Sequence, residues 1–515
     1  MLPTITRREW GWAWAVSALV VALACLPYLV GWALTPAGYH FTGLLINPID
    51  GHSYLAKMGQ GAAGGWLFRL PYTAEPHRPV FIFAYHLALG HLAPNASPLT
   101  LLWIYHLARV FFGLFLLMAV YGAAGLVTGD IWQRRLSLLL VALASGVGWL
   151  VGSGPDLTVP EALTFPSLMV NAHFGLTALL MLLVILGSTL ASGHWGWWLA
   201  VAVASAGLAM IQPFALLTVG AAVAGWCIVS WLPERRLARM NLGRAALIAL
   251  VALPFMLYYL WITRTNPHIG RWMAQNITPA PPAWQWLTAY GLLWPLAAAG
   301  AWRATQRRGP ADVLLLTWTA GQLGLMLLPI SLQRRLSTGL HLPLCFLAAV
   351  GWQQAVFPLL RGRVRRWLPA VLLLFAFLSN LLLMLAGVSA VLARNPYVLL
   401  SDAQWQAMGW LRENVTPETV VLADTELGTV VPAWGGGARV VYGHPFETLD
   451  AAAMRTAVNA FYAGRMPADE QSAFLERLGV QIIILQTDRY KLPPPPAFRP
   501  AWESGPVIIY RREGP

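Results

Sequence analysis

The ionisable residues of the first long loop are the side chains best suited to do chemistry in this sequence. The segment NPIDGHSYLAKMGQGAAGGWLFRLPYTAEPHRP, residues 47–79, lies between two strongly apolar segments. It contains acidic, basic and imidazole groups, namely Asp50, His52, Lys57, Arg69, Glu75, His77 and Arg78. Carboxylates and imidazoles are the usual groups that accept and donate protons in enzymes. In a chain with only 11% charged residues, this concentration makes the loop the first candidate for a functional site.

Carboxylates are scarce in the first 395 residues, so few side chains there can act as a base. They are Glu9, Asp50, Glu75, Asp130, Asp156, Glu161, Glu234 and Asp312. Asp50 and Glu75 lie in the long loop, and we take them as the candidate catalytic residues. Each has a structural alternative. Asp50 is well placed to cap the N-terminus of a short helix, and Glu75 could be an ordinary solvated loop residue.

Histidines accompany both acids, in the patterns Asp-x-His (Asp50, His52) and Glu-x-His (Glu75, His77). Such oxygen and nitrogen donors could hold a divalent cation, Mg²⁺ or Mn²⁺, although this spacing is not diagnostic of a metal site. We also take His52 and His77 as candidate substrate-binding residues. His173, in FPSLMVNAHF at the start of an apolar run, is another, with a satisfied interfacial histidine as its alternative.

Three arginines occur where membrane proteins rarely place them. Arg334 and Arg335, in PISLQRRLSTGLH, lie between two apolar runs on the side opposite to the other arginine clusters, and Arg109 lies inside an apolar run. A guanidinium fork matches the geometry of a phosphate group, so we predict that these residues bind an anionic ligand. Contact with lipid headgroups is the alternative for the pair. Arg271, in TNPHIGRWMAQNITPAPP, is a further substrate-binding candidate.

The composition indicates which class of protein positions these residues. Of the 515 residues 57% are hydrophobic, the mean hydropathy is +0.58, and apolar runs long enough to cross a bilayer recur along the chain. We therefore predict an α-helical polytopic membrane protein. Its eleven predicted spans are 12–34, 99–127, 136–152, 172–191, 196–211, 213–232, 244–262, 284–302, 312–330, 338–358 and 367–392.

The charge distribution gives the predicted orientation. Residues 1–395 hold 24 Lys and Arg against 8 Asp and Glu, a net charge of +16, whereas residues 396–515 hold 10 against 13, a net charge of −3. Most arginine clusters fall in alternate connections, as the positive-inside rule expects of cytoplasmic loops. We therefore predict a cytoplasmic N-terminus, a first outer loop over residues 35–98, and no nucleic-acid partner. The three cysteines lie in apolar runs and do not suggest a disulfide or metal framework.

The sequence changes character near Asn395-Pro396. DAQWQAMGWLREN has the pattern of an amphipathic helix, and TVVLAD, ARVVYG, VQIIILQ and PVIIYRR have that of short strands. Helices are predicted near 449–463 and 467–478. Alternating strands and helices favour a small α/β domain over residues 396–515, outside the membrane. Within it, His444 and Glu447 of YGHPFETLD could face the membrane part, but a structural polar pair is the simpler interpretation.

The order of these features resembles a known class of membrane enzyme. A first span, a long outer loop with an early Asp, many further spans and a soluble outer domain are similar to the GT-C class of membrane glycosyltransferases. The segments NPIDGHSYLAKM, FPSLMVNAHF, NPHIGRWMAQNITPAPP and QRRLSTGLHLPL resemble uncharacterised bacterial multi-pass proteins of that type. The class typically has a carboxylate in the first outer loop, often two adjacent ones. This chain has Asp50-Gly51, and Glu75 is taken as the second acid on position alone.

This resemblance implies a reaction, a set of partners and a location. A polyprenyl-phosphate-linked sugar would be the donor, Asp50 would take a proton from the acceptor hydroxyl, and direct displacement would invert the anomeric carbon. Arg334 and Arg335, with Arg109, would hold the departing phosphate. The implied partners are the lipid-linked donor, membrane lipids and an acceptor that the sequence does not identify. The implied location is the bacterial plasma membrane, with the site on its outer face.

Two other functions remain open from the sequence. A transporter or flippase of a lipid-linked glycan would also use arginines near the membrane surface, but transporters often show two similar halves, and no repeat is evident here. A non-catalytic membrane scaffold that presents the C-terminal domain would leave the concentration of acids and histidines in one loop without a reason. We rank transfer first, transport second and the scaffold third.

Overall fold

Long apolar helices make up most of the structure. The computed structural model describes residues 4–191, 193–234, 239–493 and 495–513. Because no water reaches the hydrocarbon core, backbone N–H and C=O groups there must bond within the chain, which favours helices. Across these residues eight helical segments are long and apolar enough to cross a bilayer: Arg7–Ala33, Pro98–Val127, Ile131–Val151, Ala172–Thr189, Ala215–Leu232, Arg239–Thr265, Gln333–Leu359 and Gly362–Leu392. The predicted α-helical polytopic class is therefore confirmed.

The remaining three predicted spans are also helical but shorter. They correspond to Trp195–Ile211, Pro310–Met326 and the pair Ala283–Tyr290 and Leu293–Arg307. Trp195–Ile211 and Pro310–Met326 have 17 residues each. At about 1.5 Å per residue such a helix reaches about 26 Å, close to the shortest length that spans a bilayer. All eleven predicted spans thus coincide with helices, eight of them of full length.

The chain divides into two compact units. The first comprises Met1–Pro27, His106–Tyr259 and Thr278–Ala386, and the second Tyr28–Tyr105, Leu260–Ile277 and Gly387–Pro515. In the first unit the helix His341–Gly351 is wholly buried and packs on Leu293–Arg307. In the second unit the first long loop lies with residues 396–515. A short antiparallel pairing of Tyr39–Phe41 with Leu399–Ser401 joins these two parts of the chain.

The second unit contains the predicted small α/β region. Its five-stranded sheet has the order Arg439–Val440, Val420–Leu422, Ile482–Gln486, Val507–Arg512 and Phe498–Ser504. The first three strands are parallel and the last two are antiparallel to their neighbours. The helices are Asp402–Asn414, Leu427–Trp434, Ala451–Tyr462 and Ala468–Arg477. All four predicted strands and all three predicted helices occur. The strand Phe498–Ser504 and the helix Leu427–Trp434 were not predicted.

The first long loop is built on two helices, Pro48–Ala62, which we call the loop helix, and Ala84–His91. Pro48 occupies the first helical position, where a missing N–H does no harm. The cap residue is Asn47, in the left-handed conformation at φ 57°, and Asp50 lies inside the first turn. The alternative that Asp50 is the N-cap is therefore wrong. Its charge still favours the helix, because an anion in the first turn offsets the positive end of the helix dipole.

Close contact between the two loop helices depends on a pair of glycines. A Cβ on Gly61 would lie 2.1 Å from the Leu87 carbonyl oxygen, and one on Gly90 would lie 2.0 Å from that of Met58. Only residues without a side chain allow backbones to approach this closely. The loop helix is consequently held against Ala84–His91 as a rigid platform, and most of its residues are buried.

Candidate functional site

Asp50 is held at the surface of the second unit by two hydrogen bonds. Its Oδ1 lies 3.0 Å from Nε2 of His444, and its Oδ2 accepts a hydrogen bond of 2.5 Å from the side-chain amide of Asn47. The carboxylate remains 34% exposed, whereas the His444 side chain is only 2% exposed. Asp50 is thus fixed in orientation from within the protein and open to a ligand on its other side.

The hydrogen bonds of His444 define its tautomer. Its Nδ1 accepts hydrogen bonds from the backbone N–H groups of Phe446 and Glu447, at 3.1 and 3.2 Å. A nitrogen that accepts two N–H donors carries no proton, so the ring proton is on Nε2 and is donated to Asp50. His444 therefore orients the Asp50 carboxylate in the way that a second group orients a catalytic base.

A buried ion pair lies beside this Asp–His pair. The Nζ of Lys57 is fully buried and lies 2.7 Å from Oε1 of Glu447. It also donates to Oγ of Ser53, whose hydroxyl in turn donates to the same Glu447 oxygen at 2.6 Å. The two pairs are linked through the chain, since Lys57 follows Asp50 on the loop helix and Glu447 follows His444 on one turn.

The pKa values indicate that both carboxylates are ionised at neutral pH. Burial is the largest single influence and works to raise the pKa of Asp50, but the hydrogen bonds from His444 and Asn47 and the charge of Lys57 together outweigh it and lower the pKa to about 2. Burial likewise opposes ionisation of Glu447, but the charge of Lys57, with the hydrogen bonds from Lys57 and Ser53, holds its pKa below the usual value. Burial and these two negative charges raise the pKa of the nearby Tyr72 phenol well above its usual value.

The two histidines predicted to bind substrate or metal have both ring nitrogens engaged within the second unit. Nε2 of His52 bonds to the carbonyl of Tyr397 at 2.8 Å, and its Nδ1 accepts from the indole N–H of Trp434 at 3.1 Å. Nε2 of His77 accepts from the backbone N–H of Leu70 at 2.9 Å, while its Nδ1 bonds to the carbonyl of Glu75. Burial lowers the pKa of His52 to about 4, so this ring is neutral. These contacts stabilise the loop.

Glu75 forms an ion-pair network with the helix Pro267–Gln275. Its Oε2 pairs with the guanidinium of Arg271 and lies 3.2 Å from Nε2 of His268, and Arg271 also reaches Asp450 at 3.2 Å. Two predicted site residues, Glu75 and Arg271, are therefore partners of each other. In the part of the chain that the structure describes, no hydrogen bond or ion pair joins Glu75 to Asp50.

We expect Glu75→Gln to reduce stability slightly and to leave the transferase rate expected from the sequence resemblance within about tenfold of wild type. The expected stability loss is about 1 kcal/mol or less, because ion pairs as exposed as this one contribute little. Glu426→Gln is a matched control, since Glu426 forms a comparably exposed pair with Arg489 in the same unit. Thermal unfolding and initial rates would be measured for both variants. A fall in rate by about 100-fold for Glu75→Gln alone, the size of a lost acid–base group, would make Glu75 catalytic.

The other predicted binding residues lie in the first unit. Arg109 is buried, and its guanidinium donates to the carbonyl of Leu168 at 2.7 Å. His173 is also buried, in the first turn of Ala172–Thr189.

Arg334 and Arg335 occupy the 3₁₀ turn Gln333–Ser337. Nε of Arg334 lies 3.6 Å from Glu161, and the Arg335 guanidinium packs on the ring of Phe214. Arg334 is about one-third exposed, which leaves room for an anionic ligand.

The residues around Asp50 do not fit a divalent metal. Across the described residues, no group of three or more His, Cys, Asp or Glu side chains is arranged to hold one. Mg²⁺ and Mn²⁺ prefer octahedral sets of oxygen donors. Asp50 supplies a single carboxylate, and the other acid of the site, Glu447, is paired with an ammonium group.

Solved structures with the same fold include two kinds of enzyme. The apo oligosaccharyltransferase of Archaeoglobus fulgidus superposes with a TM-score of 0.60 at 11% identity, over 94% of this chain and 70% of that one. ArnT of Cupriavidus metallidurans superposes with a TM-score of 0.55 at 14% identity, over 97% of this chain and 98% of that one. This chain has the GT-C fold. The fold expected from the sequence resemblance is thereby confirmed.

Some of these structures contain ligands. ArnT has been solved bound to undecaprenyl phosphate, a structure that aligns with 96% of this chain at a TM-score of 0.55 and 13% identity. The A. fulgidus enzyme has been solved in complex with Zn and sulfate. No family model matches the sequence, and no curated protein matches it significantly.

The sequence did not predict the roles of three residues of the site. His444 and Glu447 were interpreted as partners of each other, whereas each pairs with a residue of the loop helix. Lys57 was noted only as one charge among several. A signal was present, because the chain has 32 arginines and only two lysines, Lys57 and Lys491. Of these two, Lys57 is the one inside the loop where the acids concentrate, and lysine supplies a compact ammonium group in place of a wide guanidinium.

Proposed function

We propose that this chain is a glycosyltransferase that moves a sugar from a polyprenyl-phosphate-linked donor to an acceptor hydroxyl at the outer face of the membrane. The proposal rests on the environment of the Asp50 carboxylate. On a GT-C fold, its carboxylate is anchored by His444 and Asn47, remains one-third exposed, and is ionised. The undecaprenyl phosphate bound by ArnT gives the class of lipid carrier that we propose for this chain.

In the proposed reaction the acceptor oxygen forms a bond to the anomeric carbon as the carbon–oxygen bond to phosphate breaks. The bonding electron pair leaves with the polyprenyl phosphate, and the acceptor proton passes to Asp50. Because the attack and departure are on opposite faces, the anomeric carbon is inverted. A lipid phosphate is its own leaving group, so no nucleotide site is required.

The low pKa of Asp50 determines when the proton moves. A carboxylate with a pKa of about 2 is too weak a base to deprotonate a free hydroxyl in advance. It can accept a hydrogen bond from the acceptor, which aligns the oxygen for attack. As the new bond forms, that oxygen becomes strongly acidic and its proton then passes to Asp50. His444 keeps the carboxylate in position throughout the reaction. It does not relay the proton further, because its Nδ1 already accepts two backbone N–H groups.

We propose Arg334 and Arg335 as ligands of the donor phosphate. Their guanidinium groups can neutralise the charge that grows on the leaving group. Arg109 and His173 are buried, and we assign them the role of supporting the region that holds the donor. Glu75 and Arg271 are better explained as an ion pair that attaches Pro267–Gln275 to the first loop.

The double variant Arg334→Gln/Arg335→Gln is expected to weaken donor binding and leave acceptor binding unchanged. A hydrogen bond to a charged group is worth about 1.5–3 kcal/mol, so the loss should be about 10- to 100-fold in the donor KM. Competition by a polyprenyl monophosphate would measure the phosphate contact directly. Arg361→Gln/Arg363→Gln is the control, since that exposed arginine pair can also contact lipid headgroups. Equal effects of both double variants would support headgroup contact instead.

The identity of the donor can be tested before the acceptor is known. Loss of the enzyme should cause a polyprenyl-phosphate sugar to accumulate in the cell membrane, where mass spectrometry of extracted lipids would identify it. Complementation with the wild-type chain should remove the accumulated lipid, and complementation with Asp50→Asn should not. A lipid profile that the deletion leaves unchanged would contradict the proposed donor.

A further inference from the structure

The strongest unexplained feature outside the Asp50–His444 pair is a fully buried lysine. We infer that the ammonium group of Lys57 is the fixed cation of this site and takes, beside Glu447, the place that a divalent metal ion would occupy. The inference rests on the function proposed above, because it concerns the electrostatics of the same site. It assigns Lys57 as a positioning residue that acts through Glu447 and the turn carrying His444.

The surroundings of Lys57 form a built cation site. Its Nζ lies 2.7 Å from Oε1 of Glu447 and donates to Oγ of Ser53. Aromatic rings enclose the remaining sides, with centroids at 4.1, 5.2 and 5.5 Å for Phe83, Tyr54 and Phe68. The faces of aromatic rings attract a cation, most strongly where water is excluded. Carboxylate, hydroxyl and rings together offset the cost of burying the charge.

The choice of lysine over arginine supports this role. The chain has 32 arginines and two lysines, so lysine at position 57 is an exception to its preference for arginine. An ammonium group is a compact point charge with three donors, whereas a guanidinium is a wide planar fork. The compact ammonium group is the one that resembles a metal ion in shape.

A second observation shows what Lys57 neutralises. Glu447 is buried, and its Oε2 has no hydrogen-bond partner among the described residues. His444 connects the two acids, because its Nε2 bonds to Asp50 and its Nδ1 accepts the backbone N–H of Glu447. The site thus contains two ionised acids and one internal cation. Without Lys57 the uncompensated acids would attract a cation from solution. Carboxylate oxygens are ligands that suit Ca²⁺, Mg²⁺ and Mn²⁺.

The same geometry disfavours a divalent ion in the wild-type protein. Beside Asp50 such an ion would find a single carboxylate, because Glu447 is already paired with Lys57. Beside Glu447 it would meet the charge of Lys57 itself. Repulsion between like charges at close range inside a protein is large compared with the affinity of a weak oxygen-ligand site.

The test is binding of Mn²⁺ to the full-length protein in neutral-lipid nanodiscs, measured by electron paramagnetic resonance and by the shift in Tm. We expect wild type to show no saturable Mn²⁺ site at about 1 mM Mn²⁺, the affinity limit of weak oxygen-ligand sites. Lys57→Met, which keeps the volume but removes the charge, should acquire one saturable site and a Tm that rises with Mn²⁺. Lys491→Met, which alters the exposed second lysine, should behave as wild type.

Each result has a defined meaning. A stoichiometric Mn²⁺ site in wild type that Asp50→Asn or Glu447→Gln abolishes would overturn the inference. So would a folded Lys57→Met protein with no new site. If Lys57→Met does not fold, the wild-type measurement still decides, and the charge-balanced Lys57→Met/Glu447→Gln variant should fold and bind no Mn²⁺. None of these measurements uses sugar transfer, so a failure of the proposed function would be seen separately, as absent transfer with Mn²⁺ binding as predicted.

Discussion

Asp50→Asn is expected to lower the rate of sugar transfer by about three orders of magnitude, the range of a lost general base, without unfolding the protein. The amide occupies the same volume as the carboxylate. Its oxygen can still accept the hydrogen bond from Nε2 of His444, and the side chain of Asn47 can rotate to present its own oxygen to the new amide N–H. What is lost is the negative charge that receives the acceptor proton. Initial rates with saturating donor and acceptor, together with a thermal melt, would measure both effects.

A second Asp–His pair in the same unit provides the control. Asp402 lies 2.9 Å from Nε2 of His40, at a separation close to that of Asp50 and His444, but its side chain is 58% exposed. Asp402→Asn should retain the wild-type rate. Similar losses in both variants would indicate a general effect on the second unit, and full activity of Asp50→Asn would remove Asp50 from the mechanism.

Substitution of His444 is the prediction with the second largest effect. His444→Leu removes the donor that holds Oδ1 of Asp50, so we expect the transfer rate to fall by about 10- to 100-fold, as for other partners that only orient a reacting group. His444→Gln should recover most of that loss, because its side-chain amide can place an N–H near the position of Nε2. A purely structural role of the ring would make Gln and Leu equally damaging.

The pH dependence gives an independent readout of the same contact. The pKa of Asp50 is depressed to about 2 in the folded protein, below its ordinary value of 3.8. A group with a depressed pKa stays charged down to the folded value, and its contribution to stability is present above about 3.8 and lost as the pH falls towards 2. In His444→Leu the hydrogen bond is gone while burial still raises the pKa. The acidic limb of the rate profile should therefore move to higher pH, and in His444→Gln it should move less.

The sequence placed the helices well because the bilayer imposes a simple rule on them. A span needs an apolar run of known length, so all eleven predicted spans fall on helical segments, one of them on a pair of helices and two on helices of only 17 residues. The small α/β region was also recognisable, since helix Asp402–Asn414 and strand Ile482–Gln486 carry strong local patterns. The strand Phe498–Ser504 was missed because a bulge and Pro500 break its alternation.

The partners of the charged residues could not be obtained in the same way. Asp50 was selected because acids are scarce, but the sequence did not predict a partner for it. The sequence also suggested Glu75 as the second acid of the site. In the structure Glu75 pairs with Arg271, 196 positions away, and Asp50 pairs with His444, 394 positions away. Side chains this distant along the chain leave no periodic signal in a single sequence.

By itself the sequence determined the class of protein, the positions of its spans and the loop where acids concentrate, because hydropathy and charge act locally and are readable residue by residue. Only the tertiary structure decided that His444 fixes the Asp50 carboxylate, that Lys57 neutralises Glu447, and that His52 and His77 are occupied by the fold. These outcomes depend on burial and on contacts between distant segments. In a medium of low dielectric constant, such contacts determine which charges are ionised and which remain accessible to a ligand.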